Sequence, residues 1–349
     1  MIETWRQFNP HIDVEPNDDF SGAEDEYHTM LSDAEEGKAD ILNLDVIHIP
    51  EFADRGLIEQ ISLVDSGDFF ESTRRVCGTT KKGLYWAAPF NTDVGMLFAR
   101  GAPAPAASSM RDLLESMTNS ERLVAQLKPD STFLREAFVV NVLEHALSEK
   151  PNLLDEDGIP SESEGLDSWK RALEPMLRAL KDERILPTVT EEESRRLFRE
   201  NKLRYMRNWP SQYRELRNDG DADSNSGRIQ VAPLPGGILG GQSLAIVKGS
   251  PHRKQATRLI EFLTSKPAQK VLAAYGFAPT RWSVYQEKDL KSFIPHLGSI
   301  RKAVEKARPR PIHRNYRQFS EVIRKHVGDF LNSGQLPSTF VQEMNRALS

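Results

Sequence analysis

The sequence predicts an α/β protein of two domains. Strand-like apolar runs alternate with amphipathic helical segments along the chain. At 349 residues the chain exceeds the ~100–200 expected of one domain. The stretch Gly101-Ala102-Pro103-Ala104-Pro105, stiffened by its two prolines, reads as a linker between them.

In chain order, residues 2–8 read as the end of an amphipathic helix stopped by Asn9-Pro10, and His11–Glu15 as a short strand. Residues 23–36 form a helix with an acidic outer face. The nearly continuous apolar run Ile41–Ile47 suits a parallel strand buried on both faces, and a short helix follows it to Gly56. Lys81-Lys82-Gly83 makes a turn into an aromatic strand that Pro89 interrupts. Asn91-Thr92-Asp93 then lies exposed before a second apolar run, Val94–Phe98.

Residues 108–118 and 133–149 read as helices, 152–165 as an acidic loop and 169–180 as a further helix. Thr190 to Glu193 is a capping box opening the helix that carries Leu197 and Phe198. Strands are predicted over Leu203–Met206, Arg228–Leu234 and Ser243–Val247, with a surface loop over 219–227. Ser250-Pro251 starts a helix whose inner face is Ala256, Leu259, Ile260 and Leu263. Another helix runs from Lys266 to about Tyr275, and three more lie near 298–307, 316–331 and 337–348.

Composition narrows the function. No apolar run approaches the ~20 residues of a membrane span. Cys77, the single cysteine, excludes an internal disulfide. Charge is lopsided, with nineteen Asp/Glu against three Lys/Arg in residues 1–71 and nine Lys/Arg against two Glu in residues 301–325. Its two aromatics, Tyr316 and Phe319, do not alternate along the basic residues as base-stacking platforms would, so it reads as a solvated helix surface and not as a nucleic-acid tail. There is no glycine-rich phosphate loop, no His or Cys spacing for a metal and no isolated carboxylate pair, so neither cofactor, metal nor catalysis is expected. Nothing at Met1 resembles a signal peptide. The chain as written would be cytoplasmic, whereas a signal upstream of Met1 would place it in the periplasm or at the cell surface.

Several residues stand where a ligand could be met. Asp45 and His48 lie at the carboxyl end of a strand, where open α/β sheets bind ligands. Asn91, Thr92 and Asp93 offer hydrogen-bonding groups, and Trp209, between Arg207-Asn208 and Pro210, offers an aromatic face. Each has a plain alternative. Asp45 could cap the following helix, His48 could be structural and Asp93 could be a turn residue. Trp209 could be a core residue, and Gly240-Gly241 could serve only a tight backbone path.

Several segments together resemble the extracellular solute-binding proteins of ABC importers, and most of all the branch that binds maltose, trehalose and related sugars. They are Ala39–Gly56, Ala88–Gly95, Glu192–Phe198 with Tyr205–Pro210, Gly240-Gly241, Glu261–Ser265, Gly276–Arg281, and Arg308–Pro311 with Tyr316 and Ser320. The resemblance runs in order across nearly the whole chain. It implies a periplasmic-binding-protein-like fold of two discontinuous α/β lobes, with a hinge and a sugar held in the interlobe cleft. The first lobe would comprise residues 1–98 and 236–294, and the second 103–235 and 295–349, with crossings near 94–105, 233–241 and 290–300. It further implies a carbohydrate ligand, delivery to ABC permease subunits, a monomer, and site residues Asp45, His48, Asn91, Thr92, Asp93, Asn208, Trp209, Gly241, Gln242 and Arg281.

The chain departs from that pattern at four points. Trp5–Pro10 matches only the end of the family's first helix, so the opening strand is missing. His48 and Gln242 stand where tryptophan is common. No counterpart of the family's Gln-Tyr-Glu-Gly-Leu contact segment occurs around 131–145. These departures support an alternative, a diverged ligand-binding or sensor module without a transport role, intracellular or part of a larger polypeptide. A sugar-acting enzyme would need a carboxylate pair ~5–9.5 Å apart across a cleft.

Overall fold

Among the described residues, nine strands pair into two separate sheets. The computed structural model describes residues 1–17, 23–129, 136–200, 202–218 and 228–349. The strands are β1 (Ile41–Asp45), β2 (Ala88–Val94), β3 (Met96–Arg100), β4 (Leu123–Ala125), β5 (Ile185–Pro187), β6 (Tyr205–Asn208), β7 (Ile229–Pro233), β8 (Leu239–Ile246) and β9 (Ala278–Pro279). One sheet has the order β1-β8-β2-β9 and the other β5-β4-β6-β3-β7. The chain divides into two units, Met1–Thr92 with Gly240–Ile294, and Asp93–Leu239 with Pro295–Ser349.

In the first unit, β1 runs antiparallel to β8 in the register Ile41↔Ile246, Asn43↔Leu244, Asp45↔Gln242. Directly opposed residues of an antiparallel pair share a face, so these rungs line one side of the sheet. Its lower part is apolar. Leu244 and Ile246 join Trp5, Ala256, Leu259, Ile260 and Leu263 in one core cluster, with Ile41 packed against it. The predicted inner face of the helix Arg253–Leu263 is therefore the buried one. Toward the carboxyl end of β1 the same face turns polar, through Asn43 to the rung of Asp45 and Gln242.

Four expectations for this unit are corrected. The first strand is antiparallel, with alternate burial, because its neighbour is β8 and not a crossover strand. Residues 11–15 form no strand; Val14 instead accepts a hydrogen bond at its carbonyl from Arg6 (2.6 Å). Asn91 and Thr92 are not an exposed tripeptide but lie within β2 at 7% and 1% exposure, and β2 continues through Pro89. Cys77 is buried with Sγ 3.3 Å from Ser243 Oγ, and burial pushes its thiol up to about 12.

In the second unit, β3 pairs antiparallel with β6 and β7, while β4 runs parallel to β5 and β6. Because Val94–Phe98 feeds this sheet, these residues belong here and not to the first unit as expected. The same holds for residues 236–239. The Gly101–Pro105 linker also falls inside this unit, where Arg204 holds the carbonyl of Ala102 at 2.8 Å; the chain changes unit at Thr92/Asp93 instead.

The capping box forms with one variation. Glu193 N donates to Thr190 Oγ1 (3.0 Å), while the Glu193 carboxylate accepts from Val189 N (2.9 Å). The helix read from 133 is described from Glu136 to Glu149, and the predicted loop at 219–227 lies outside the described residues. The helix after Ser250-Pro251 starts at Arg253, because Ser250 Oγ accepts from His252 N while donating to Asp40.

Gly241 has φ +114°, and a Cβ there would meet Asn91 O at 2.4 Å and Thr92 Cα at 2.5 Å. Gly241→Ala should therefore lower stability by about 3 kcal/mol, combining left-handed strain with a backbone clash. Chemical denaturation checks this; an unchanged midpoint would show that β8 does not need the close approach.

Candidate functional site

In the first unit the polar rung is built by β1, β8 and β2. Asp45 ends β1 partly exposed, its Oδ1 accepting from Ile47 N (3.2 Å) and its carbonyl from His48 N (2.9 Å). Asp45 thus shapes the turn into the helix Ile49–Asp54 and also faces Gln242 across the register. Burial first, and the Asp45 carboxylate second, raise Glu26 above the usual carboxylate range. His48 sets its ring 4.7 Å from that of Tyr27, whose hydroxyl donates to Glu51 (2.8 Å).

Asn91 and Gln242 are clipped together. Gln242 N donates to Asn91 Oδ1 (2.8 Å) and Asn91 Nδ2 donates to Gln242 Oε1 (3.1 Å). Thr92 Oγ1 donates to Gly240 O (3.3 Å). The close approach of Gly241 to Asn91 and Thr92 makes this junction possible.

Arg281 stands apart from this group. It is buried, with bonds to the carbonyls of Thr264 and Val64 and with Asp68 Oδ2 at 3.4 Å. Its guanidinium lies 4.1 Å from the centre of the Phe69 ring. Every direction of the fork is spent on the fold.

In the second unit the sequence places Trp209 at the end of β6, and the structure shows what fixes it. The Arg207 guanidinium lies 3.9 Å from the indole centre, and Trp209 Nε1 donates to Glu191 Oε1 (3.0 Å). Arg207 is itself held by a two-pronged bond to Glu144 (2.8 and 2.6 Å) and by Gln126 Oε1 (3.1 Å). Both members of this ion pair are 1% exposed. A Cβ at Gly95 would fall 2.1 Å from Glu144 Oε1 and 2.7 Å from Arg207, so only glycine leaves room for the pair. Asn208, fully buried, donates to Glu191 O (2.9 Å) and accepts from Trp209 N (3.0 Å). It positions the tryptophan and has no exposed surface of its own. Asp93 opens this unit, partly exposed, next to Val94.

Sequence reasoning missed the support beneath Trp209, namely Glu144, Gln126 and Glu191. Glu144 lay in a helix buried almost all round, where its charge was the available signal. It also missed Tyr213, four residues after Trp209, whose ring centre lies 4.1 Å from that of His296. Among the described residues no group of three or more His, Cys, Asp or Glu could hold a metal ion. Nor is any helix long and apolar enough to cross a membrane. A fixed indole offers a flat face to C–H groups, and the first unit offers hydrogen-bonding groups. Each, within its own unit, suits one property of a polyhydroxylated ligand: the indole its C–H faces, the polar groups its hydroxyls.

Comparison with known proteins gives the same direction. A model of the bacterial extracellular solute-binding protein family matches residues 6–294. A probable ABC transporter-binding protein of Deinococcus radiodurans is 30% identical over 175 residues, 46% of this chain. The match spans 41% of that relative's length. Maltose-bound MalE3 of T. maritima is 27% identical, with 99% of this chain and 94% of that one aligned at a TM-score of 0.79. A solute-binding protein from Thermotoga lettingae, bound with α-D-tagatose, is 20% identical with a TM-score of 0.80, covering 100% of this chain and 94% of that one. At that identity it speaks to fold alone.

Two buried histidines give the second unit an acid sensitivity. His145 is held at about 3 by burial and then by Arg207, and His296 at about 4 by burial and then by Arg217. Both would titrate near ~6.5 when unfolded. Between the two values the unfolded chain binds more protons, so stability falls as pH drops from about 6.5 toward 4. His145→Gln should flatten this slope in urea midpoints taken at intervals across the window; a slope equal to wild type would contradict the assignment.

Proposed function

We propose that this chain, which belongs to the bacterial extracellular solute-binding protein family, binds a sugar and delivers it to the membrane subunits of an ABC importer. The observation that carries the reading is Trp209, an indole fixed by a buried ion pair behind it and by a carboxylate on its N–H. Such a ring gives stacking area without the entropy cost of ordering a mobile side chain. Asp45, Gln242 and Asp93 supply the hydrogen bonds that sugar hydroxyls need. Thr92, Asn208, Arg281 and Asn91, buried and bonded within the protein, act by placing their neighbours.

The maltose bound to the T. maritima relative makes an α-linked disaccharide the first ligand to try. The family is one of binding proteins, and the chain is read as non-catalytic and without a cofactor. It acts as a monomer outside the cytoplasmic membrane and has no nucleic-acid partner.

A thermal-shift screen against mono- and disaccharides tests the reading. A sugar at ~100 times its Kd adds about 2.7 kcal/mol, which moves the midpoint by several degrees. Trp209→Ala should cut that shift to about half or less, since losing the plate weakens binding about tenfold or more and leaves about 1.4 kcal/mol at the same sugar concentration. A cooperative melt that no sugar moves would instead favour a binding module for another class of solute.

A further inference from the structure

The hydrogen bonds around Gln242 fix which end of its side-chain amide is left for a ligand. A main-chain N–H can only donate, so the bond from Gln242 N identifies the Asn91 atom that receives it as Oδ1. The other end of the Asn91 amide is then Nδ2, a donor, and the atom of Gln242 that it meets must be Oε1. Asn43 reaches the same Oε1 with its own Nδ2 at 3.2 Å, and its Oδ1 is left buried without a partner among the described residues. One backbone proton thus orients three side-chain amides in turn.

We infer that Asn91 is a positioning residue whose work is to hold Gln242 with its Nε2 donor turned to the ligand, beside the Asp45 carboxylate, so that the rung reads two neighbouring hydroxyls of a sugar. The inference rests on the proposed sugar-binding role and specifies its chemistry. Asp45 and Gln242 are opposed in the antiparallel register, with Cβ atoms about 4.5–5.5 Å apart. A carboxylate accepts and an amide NH2 donates, so one hydroxyl of a vicinal pair donates a hydrogen bond to Asp45 while the next accepts one from Gln242. A ligand lacking either hydroxyl leaves one of these groups unpaired and loses affinity steeply.

The arrangement also explains why Asn91 is 7% exposed while Gln242 stays partly open. Asn91 is consumed within the protein. Gln242 spends its carbonyl on two donors, and among the described residues its nitrogen makes no hydrogen bond.

Two measurements test this. In the ligand-free protein, side-chain amide NMR, assigned with Asn91→Asp and Gln242→Glu, should show the Asn91 NH2 protected from exchange with water. The Gln242 NH2 should exchange quickly. A protected Gln242 with a fast Asn91 would overturn the orientation whether or not any sugar binds. In calorimetry with maltose as probe, Gln242→Glu keeps an oxygen for Asn91 and Asn43 but puts a second acceptor beside Asp45. Its melting temperature should fall only slightly, from the two carboxylates facing each other across the rung, while affinity falls about tenfold or more. Undiminished maltose binding by that variant would refute the donor role and leave the sugar reading standing. If wild type binds no sugar, the sugar reading falls, and the exchange pattern alone decides the orientation.

Discussion

The second unit depends on a salt bridge that water never reaches. Glu144 and Arg207 sit together at 1% exposure, joined by two short bonds, with Gln126 taking a third nitrogen of the fork. Burying two charges carries a desolvation penalty that only close, complete hydrogen bonding offsets, and removing one partner typically costs about 3–5 kcal/mol. Three features of the sequence follow from this. Position 95 must be glycine, because any side chain would collide with the pair. His145, the next residue after Glu144, stays neutral because it shares the same dry, cationic surroundings. Trp209 has a guanidinium to lie on, which turns a strand-end tryptophan into a rigid plate.

Much of the fold was legible because periodicity reports burial. The face Ala256, Leu259, Ile260 and Leu263 and the capping box at Thr190 came from the sequence alone, while the strand read at Leu203–Met206 lies two residues later, at Tyr205–Asn208. Direction did not. The apolar run at Ile41–Ile47 looks the same for a parallel or an antiparallel strand, and its partner β8 lies some two hundred positions away. Gly101–Pro105 has a linker's composition, yet the change of unit occurs inside β2, where nothing in the local sequence marks it.

The candidate site was legible as a set of polar positions, but not as a division of labour. Asn91, Asn208 and Arg281 have side chains that could meet a ligand, and residue type does not say whether the partner is solute or protein. In this chain, backbone groups and neighbouring side chains claim them. Asp45, Gln242 and Trp209 keep part of their surface open. Polar residues near a site thus sort into those that touch and those that place, and only the hydrogen-bond pattern separates them.

The central claim is that Trp209, backed by the buried pair, is the surface on which a sugar ring rests. Fluorine NMR of protein carrying 5-fluorotryptophan tests it most directly, with the Trp209 signal assigned by Trp209→Phe. On saturation with a bound sugar the Trp209 resonance should move, while that of Trp169, buried in the core, should stay in place. A sugar that binds and leaves the Trp209 resonance where it was would contradict the account.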